Sequence, residues 1–257
     1  MEFSEQWIAF LTLLRKEIKR FTRIWVQTLL PPAITMALYF VIFGTLIGRR
    51  IGDMGGFSYI QFVAPGLIMM AVLTNSYSNV TSSFFSAKFQ RSIEEVLVSP
   101  TPNYIILLGY CLGGMARGLG VGIVVTCLAL LFTDIPIHSW WVTVSIVVLT
   151  SAFFALAGFI NAIFANTFDD ISIVPTFILT PLTYLGGVFF SIGMLGEFWQ
   201  GVARLNPILY MVNTFRFGML GVSDVNVSMA FSGLGLCVVA LFMVGLHLLK
   251  TGSRLRA

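Results

Sequence analysis

Long apolar runs separated by short polar stretches dominate the chain. Six of them read as membrane-crossing helices: Ile24 to Ile47, Tyr59 to Ser83, Ile105 to Phe132, Trp140 to Phe164, Ile173 to Phe190 and Val227 to Leu249, each close to or above the ~20 residues that span the hydrocarbon. Ahead of the first run, Trp7, Phe10, Leu11, Leu14, Ile18, Phe21 and Trp25 recur at steps of three and four and line one side of a helix over residues 5–23. Arg15, Lys16, Lys19, Arg20 and Arg23 fall mostly on the other side. That split is expected of a helix in the membrane interface with its cations toward the headgroups; a solvated basic helix packed on another protein has the same pattern. Residues 86–97 read as a short helix stopped by Pro100 and Pro102, with Phe89, Ile93, Val96 and Leu97 on one side and Gln90, Arg91, Glu94 and Glu95 around them. Residues 197–218 mix aromatic and polar positions and are divided by Pro207, which fits two short helices lying in or dipping into the outer leaflet. The expected fold is all-α: one polytopic transmembrane domain over residues 1–257 with six spans, an N-terminal interfacial helix and an outer helical hairpin.

Composition narrows the class. Of 257 residues, 57% are apolar and 10% charged, against roughly 45–50% and about 25% in soluble domains. A soluble fold could not cover that much apolar surface, which excludes a globular enzyme, a disordered tail and a nucleic-acid binder. The net charge of +4 arises from basic residues spread between the spans, where they set orientation. One face carries ten: Arg15, Lys16, Lys19, Arg20, Arg23, Lys88, Arg91, Lys250, Arg254 and Arg256; the other carries Arg49, Arg50, Arg204 and Arg216; and Arg117 lies within the third run. The bias puts both termini in the cytoplasm. The first run starts too late and runs too long for a cleavable signal, whose apolar part is ~7–15 residues. Cys111, Cys127 and Cys237 lie in apolar stretches without a CxxC or Cys/His spacing, so neither a disulfide framework nor a metal site is expected.

No set of residues converges on chemistry. The phosphate-cradling GxxxxGK[ST] pattern is missing, its nearest approach being Gly44 to Arg50, so ATP, if used, is bound by another chain. His138, His247 and the Asp169–Asp170 pair stand apart, which argues against an intramembrane enzyme; the aspartates read as a cap on the following helix. Neither a filter sequence nor rings of charge favour a nucleotide-independent channel. In the third run, Gly109 and Gly113, then Gly114, Gly118 and Gly122, recur every four residues and form smooth strips for close helix packing. Arg117 beside them reads equally as turned toward a dimer seam or wet cavity, or as snorkelling to the cytoplasmic side. Pro31, Pro32, Pro175 and Pro181 invite kinks. The 86–97 helix has the shape to enter a groove on a soluble partner, or to rest on the membrane surface. Tyr184, Phe189 and Phe190, at the outer end of the fifth run, are candidates for lining a conduit.

Leu179, Leu182, Leu185-Gly186, Val188, Leu195-Gly196, Pro207-Ile208, Tyr210 and Arg216 stand in the order and spacing of a known signature, and EEVLVSP at Glu94 to Pro100 matches the loop that follows the second span in the same family. On these residues the chain resembles the ABC-2 type transporter permeases over essentially its whole length. The resemblance implies the membrane half of an exporter in a bacterial inner membrane. Two copies form the conduit and two ATPase chains, which hold ATP and Mg, dock beneath. It makes Ser86 to Leu97 the coupling helix, with Phe89, Arg91, Ser92, Ile93, Glu94, Glu95, Val96 and Leu97 toward the ATPase, and gives the N-terminal helix a second contact with it. It also makes the outer hairpin re-entrant, with Pro207, Tyr210 and Arg216 in structural roles there.

Overall fold

The computed structural model describes residues 2–252; Arg254 and Arg256, counted above, lie outside them. Helix α1 (Phe3–Arg23) ends at Ile24, a single non-helical residue, and α2 (Trp25–Val41) follows at once. A π-helical stretch, Ile42–Ile47, and the short α3 (Gly48–Ile51) prolong α2. The chain then turns through a two-stranded hairpin, β1 (Asp53–Met54) and β2 (Phe57–Ser58), in the register Asp53↔Ser58 and Met54↔Phe57. Gly55 and Gly56 sit at φ +60° and +85°, as a two-residue type I′ turn requires. The Gly-Gly pair carries the signal for this hairpin, which the reading of apolar runs passes over. Next come α4 (Tyr59–Phe89), α5 (Ser92–Val98), α6 (Asn103–Phe132) and α7 (Trp140–Phe164). After them stand α8 (Asp170–Ile173), a second π-helical stretch (Val174–Leu179), α9 (Thr180–Tyr184), α10 (Glu197–Arg204), α11 (Pro207–Leu220) and α12 (Val227–Thr251).

Among the described residues five helices are long and apolar enough to cross a membrane: Trp25–Gly44, Tyr59–Phe89, Asn103–Phe132, Trp140–Phe164 and Val227–Thr251. The run expected as the fifth span, Ile173 to Phe190, departs from the sequence reading. Its helix covers 170–184, about 22 Å at 1.5 Å per residue, against a hydrocarbon core of ~30 Å. Pro175 and Pro181 withhold backbone donors, and Gly187 at φ +70° turns the chain away.

Helix α4 is the axis of the fold. It is buried almost continuously from Phe62 to Phe85 between α6, α7 and α11, with apolar residues through Leu73 and buried Asn75, Ser76, Asn79, Thr81 and Ser83 beyond. The glycine strips explain the closeness of that packing. Gly114, Gly118 and Gly122 meet Val80, Ser76 and Val72 of α4, while Gly109 and Gly113 on the other strip seat Leu13 and Glu17 of α1. A methyl at Gly118 would stand 2.9 Å from the Val72 carbonyl oxygen, a contact backbone cannot relieve. Gly118→Ala is therefore expected to cost about 1–3 kcal/mol, read as an earlier thermal unfolding midpoint in micelles. Gly120, with open space beside it, is the control, since its alanine variant should melt with the parent. Helices α2 and α12 pack on the outside and present apolar rows to the surroundings, Leu30, Ile34 and Leu38 on one and Leu236, Val239 and Met243 on the other.

Candidate functional site

The expected 86–97 helix is two pieces. Ser86 to Phe89 complete α4, and a break at Gln90 and Arg91 precedes α5. Arg91 takes the left-handed conformation, φ 59°, a strained choice for a residue with a Cβ. The surroundings hold it there. Lys88 Nζ donates to the carbonyls of Ile163 (2.6 Å) and Ala165 (2.8 Å) at the end of α7, and Ser92 Oγ donates to Ala87 O (3.3 Å). Ile93 is buried beneath the turn, and Val96 and Leu97 are half-buried against the same cluster. What α5 leaves outside is a compact set: Phe89 (61% exposed), Arg91, Glu94, Glu95 and Val98 (87% exposed). Ser92 is half-buried. Of the eight residues proposed for a partner, Phe89, Arg91, Glu94 and Glu95 thus share a surface, whereas Ile93 is a peg into the core. Val98 lay one residue beyond the sequence boundary.

Two other elements border this surface. The ring of Phe168, in the loop before α8, stands 5.0 Å from that of Phe89 and 4.9 Å from that of Phe85. On the far side a groove of about 380 Å³ runs between α1 and α5, lined by Ala9, Thr12, Lys16, Glu95, Val96 and Ser99 among others. The Phe168 loop is closed by Asp170, whose Oδ2 accepts the backbone N–H of Asn166 (2.8 Å) and Thr167 (3.0 Å). The carboxylate thus closes the turn before it, where the sequence suggested a cap on the helix after it. Those two bonds hold its carboxyl below the usual carboxylate range. A depressed native pKa stabilises the turn above the ordinary aspartate range and is lost as pH falls through the depressed value. Hydrogen exchange at the Asn166 and Thr167 amides should accordingly report faster opening under acid, and Asp170→Asn should weaken that dependence.

Beneath α5 the N-terminal helix is keyed into the bundle. Its buried row is Leu13, Glu17 and Phe21, which meets the aromatic stripe at Phe21 and otherwise lies one position round from Leu14 and Ile18, and Trp7 stays 54% exposed. The glycine strip of α6 decides this, because only there can a helix axis approach closely. Glu17 is 0% exposed: Oε1 accepts from Ser83 Oγ (2.8 Å), and Oε2 pairs with Arg20 Nε (3.4 Å). Arg20 Nη2 reaches Asn79 O (3.0 Å) and Oδ1 (2.8 Å) on α4. Arg20 therefore faces the bundle and not the headgroups. Deeper along the same helices, Arg117 Nη2 donates to Asn75 Oδ1 (3.2 Å), so Arg117 turns toward α4. A lone carboxylate between Leu13 and Phe21, with an arginine three residues on, was the signal for this junction.

The far end of the bundle is locked by a third arginine. Asn206 caps α11, its Oδ1 accepting from Ile208 N (3.0 Å) and its Nδ2 donating to Leu182 O (2.5 Å); Pro207 fills the first helical position. Tyr210 Oη donates to Arg204 O (2.9 Å), pinning α10 to α11. Arg216 is 1% exposed. Its Nε donates to Phe62 O (3.2 Å), Nη1 to Asn213 Oδ1 (3.1 Å) and Nη2 to Gly187 O (2.6 Å), with the Phe62 ring 3.8 Å beneath the guanidinium. Tyr184 and Phe189 belong to an aromatic group with Tyr39, Phe43 and Tyr59, and Phe190 is half-buried. Arg117, on α6, is not part of that group.

Residues 8–220 match the ABC-2 type transporter family, which covers more than half of the chain. The chain belongs to this ABC-2 family. The permease is 57% identical over 251 residues, 98% of each chain, to the inner membrane transport permease YadH of Escherichia coli strain K12. It is 25% identical over 218 residues to nodulation protein J of Neorhizobium galegae, covering 83% of this chain and 82% of that one, and 25% identical over 222 residues to nodulation protein J of Rhizobium meliloti strain 1021. It is accordingly a membrane permease subunit of an ABC transporter in a bacterial inner membrane, and membership implies an ATP-binding cassette partner. Of the residues that carried the resemblance, Gly186, Val188 and Arg216 lie where α11 meets α4 and the Gly187 turn, and Pro207 opens α11.

Proposed function

We propose that the permease is the conduit half of an exporter in which two copies assemble with two ATP-binding subunits, ATP and Mg being held on those subunits. The observation that carries this reading is the cluster of Phe89, Arg91, Glu94, Glu95 and Val98, exposed on an element anchored through Ile93 and Lys88 and flanked by the α1 groove and Phe168. A protruding helix on a stiff base can push on what lies behind it. Motion imposed on α5 reaches α4 through the Arg91 break, and reaches α7 through Lys88. The buried Glu17–Arg20–Asn79 junction ties α1 into the same movement.

In this arrangement the run from Ile173 to Phe190, the π-helical stretch and α9 with the turn residues that follow them, is the fifth of six crossings, and α10 with α11 is the re-entrant hairpin on the outer side. Both termini are cytoplasmic, supported by the ten-to-four bias of basic residues. The apolar rows of α2 and α12 face lipid or the second copy. Affinity purification from cells that carry the native neighbouring subunits is expected to bring down an ATP-binding chain, and native mass measurement to give a complex with two copies of each. A chain that came down alone and still moved solute without nucleotide would overturn the proposal.

A further inference from the structure

Three hollows within one chain share residues end to end. The first, about 270 Å³, lies between α4 and the start of the fifth segment and is rich in hydroxyls: Ser78, Thr81, Ser82, Ser172 and Thr176. The second, about 350 Å³, is walled by apolar side chains of α7, the fifth segment and α11, among them Phe154, Ala157, Leu179 and Ile208. Tyr77 lines both. The third, about 310 Å³, shares Phe153 and Pro207 with the second and reaches Tyr210 and Cys237.

Two features set the middle hollow apart from ordinary packing. Tyr77 is 1% exposed, and its hydroxyl and the Nδ2 of Asn161, both on the wall of this hollow, stand near each other and near Thr81 yet complete no hydrogen bond of normal length and angle. Buried polar atoms are rarely left so, because the desolvation they suffer is not repaid. Both groups can donate, so what would satisfy them is an acceptor. The second feature is the wall: the π-helical Val174–Leu179 contributes Pro175 and Thr176 to the first hollow and Val174 and Leu179 to the second. Such stretches gather at functional sites. Among the described residues, none that lines the first two hollows is charged, so a charged head would be desolvated there without a partner.

We propose that these hollows form a binding track for an uncharged amphiphile. Its apolar body fills the second hollow, an oxygen acceptor such as a carbonyl, ether or hydroxyl takes the Tyr77 and Asn161 donors, and a hydroxyl-bearing head occupies the first. The proposal rests on the transport reading for its purpose and names the chemistry of the cargo.

The test uses the purified full-length chain in maltoside micelles, without nucleotide or partner, and the neutral naphthyl ketone 6-propionyl-2-dimethylaminonaphthalene, whose emission shifts to the red when its ketone accepts a hydrogen bond. Saturable binding with red-shifted emission is expected. Tyr77→Phe, which removes an oxygen that completes no hydrogen bond of normal geometry in the protein, should fold normally, raise the Kd about three- to tenfold and shift the emission back to the blue. Ala157→Trp should abolish saturable binding, while Leu236→Trp on the outward face of α12 should not change it. The same naphthalene without its ketone should bind the parent and Tyr77→Phe alike, a comparison that decides the matter even if Ala157→Trp fails to fold. A folded Tyr77→Phe that held the ketone with unchanged affinity and emission would refute the track. A chain that co-purified with its ATP-binding subunit but ignored the ketone would sink the track alone. One that held the ketone but had no such subunit would sink the transport reading alone.

Discussion

Arg216→Leu is expected to lower the unfolding free energy by about 3 kcal/mol or more, the largest loss from any single substitution outside the glycine strips. The guanidinium bonds three separate elements at once: Phe62 O on α4, Gly187 O in the turn after α9 and Asn213 Oδ1 on its own helix. Bonds from a charged donor contribute about 1.5–3 kcal/mol each, and a buried carbonyl left without a partner costs about 1–3 kcal/mol. Leucine removes all three bonds, takes the guanidinium donor from the Gly187 carbonyl and leaves Phe62 O with only its helical bond. Arg216→Lys should recover little, because a single ammonium lacks the planar fork that reaches three acceptors in different directions. The measurement is the thermal unfolding midpoint of purified variants in micelles, with the yield of monodisperse protein as a second readout. Should Arg216→Leu melt with the parent, the lock is not what holds α11 against α4.

The largest functional effect is expected from Glu94→Lys combined with Glu95→Lys. Both carboxylates are exposed, so the double variant should fold and melt like the parent, as surface substitutions generally do within about 0.5 kcal/mol. At a docked interface the same change turns two negative charges into two positive ones. Like charges brought together there cost several kcal/mol, enough to lower coupled turnover at least about tenfold by the relation of rate to free energy. Assembly of the ATP-binding subunit and its ATPase rate, measured in low and high salt, separate lost docking from lost coupling. High salt should relieve the defect in part, since screening weakens repulsion at the rim. Full coupled turnover in an intact complex of the double variant would move the docking surface away from α5.

Much of the framework is legible in residue pattern because the membrane imposes it. A run such as Trp140 to Phe164 has one stable outcome in hydrocarbon, a helix that satisfies its own backbone, and α7 begins and ends on those residues. The glycine strips announced close packing, and Pro207 the break between α10 and α11. The remaining features depend on neighbours that local pattern does not contain. Arg91 has no reason in its own sequence to turn left-handed; the carbonyls of Ile163 and Ala165, about 75 residues away, hold the preceding lysine and make the break. The aromatic stripe of α1 pointed its burial toward lipid, but the seat offered by Gly109 and Gly113 buries Leu13 and Glu17 beside it and keeps only Phe21 of the stripe fully inside. Hydropathy marks the fifth run from Ile173 to Phe190 but not where its helix stops, which Gly187 and the prolines decide.

The chain by itself determined its class: an all-helical membrane body, the positions of most of its crossings and the residues of the family signature, since each follows from the cost of exposing apolar side chains or bare backbone to the wrong solvent. Tertiary structure alone decided which charges are buried and what they hold. The pairing of Glu17 with Ser83, of Arg20 with Asn79 and of Arg216 with Phe62 and Gly187 joins residues far apart in sequence. A buried charge is tolerated only where distant backbone and side chains converge to replace its water.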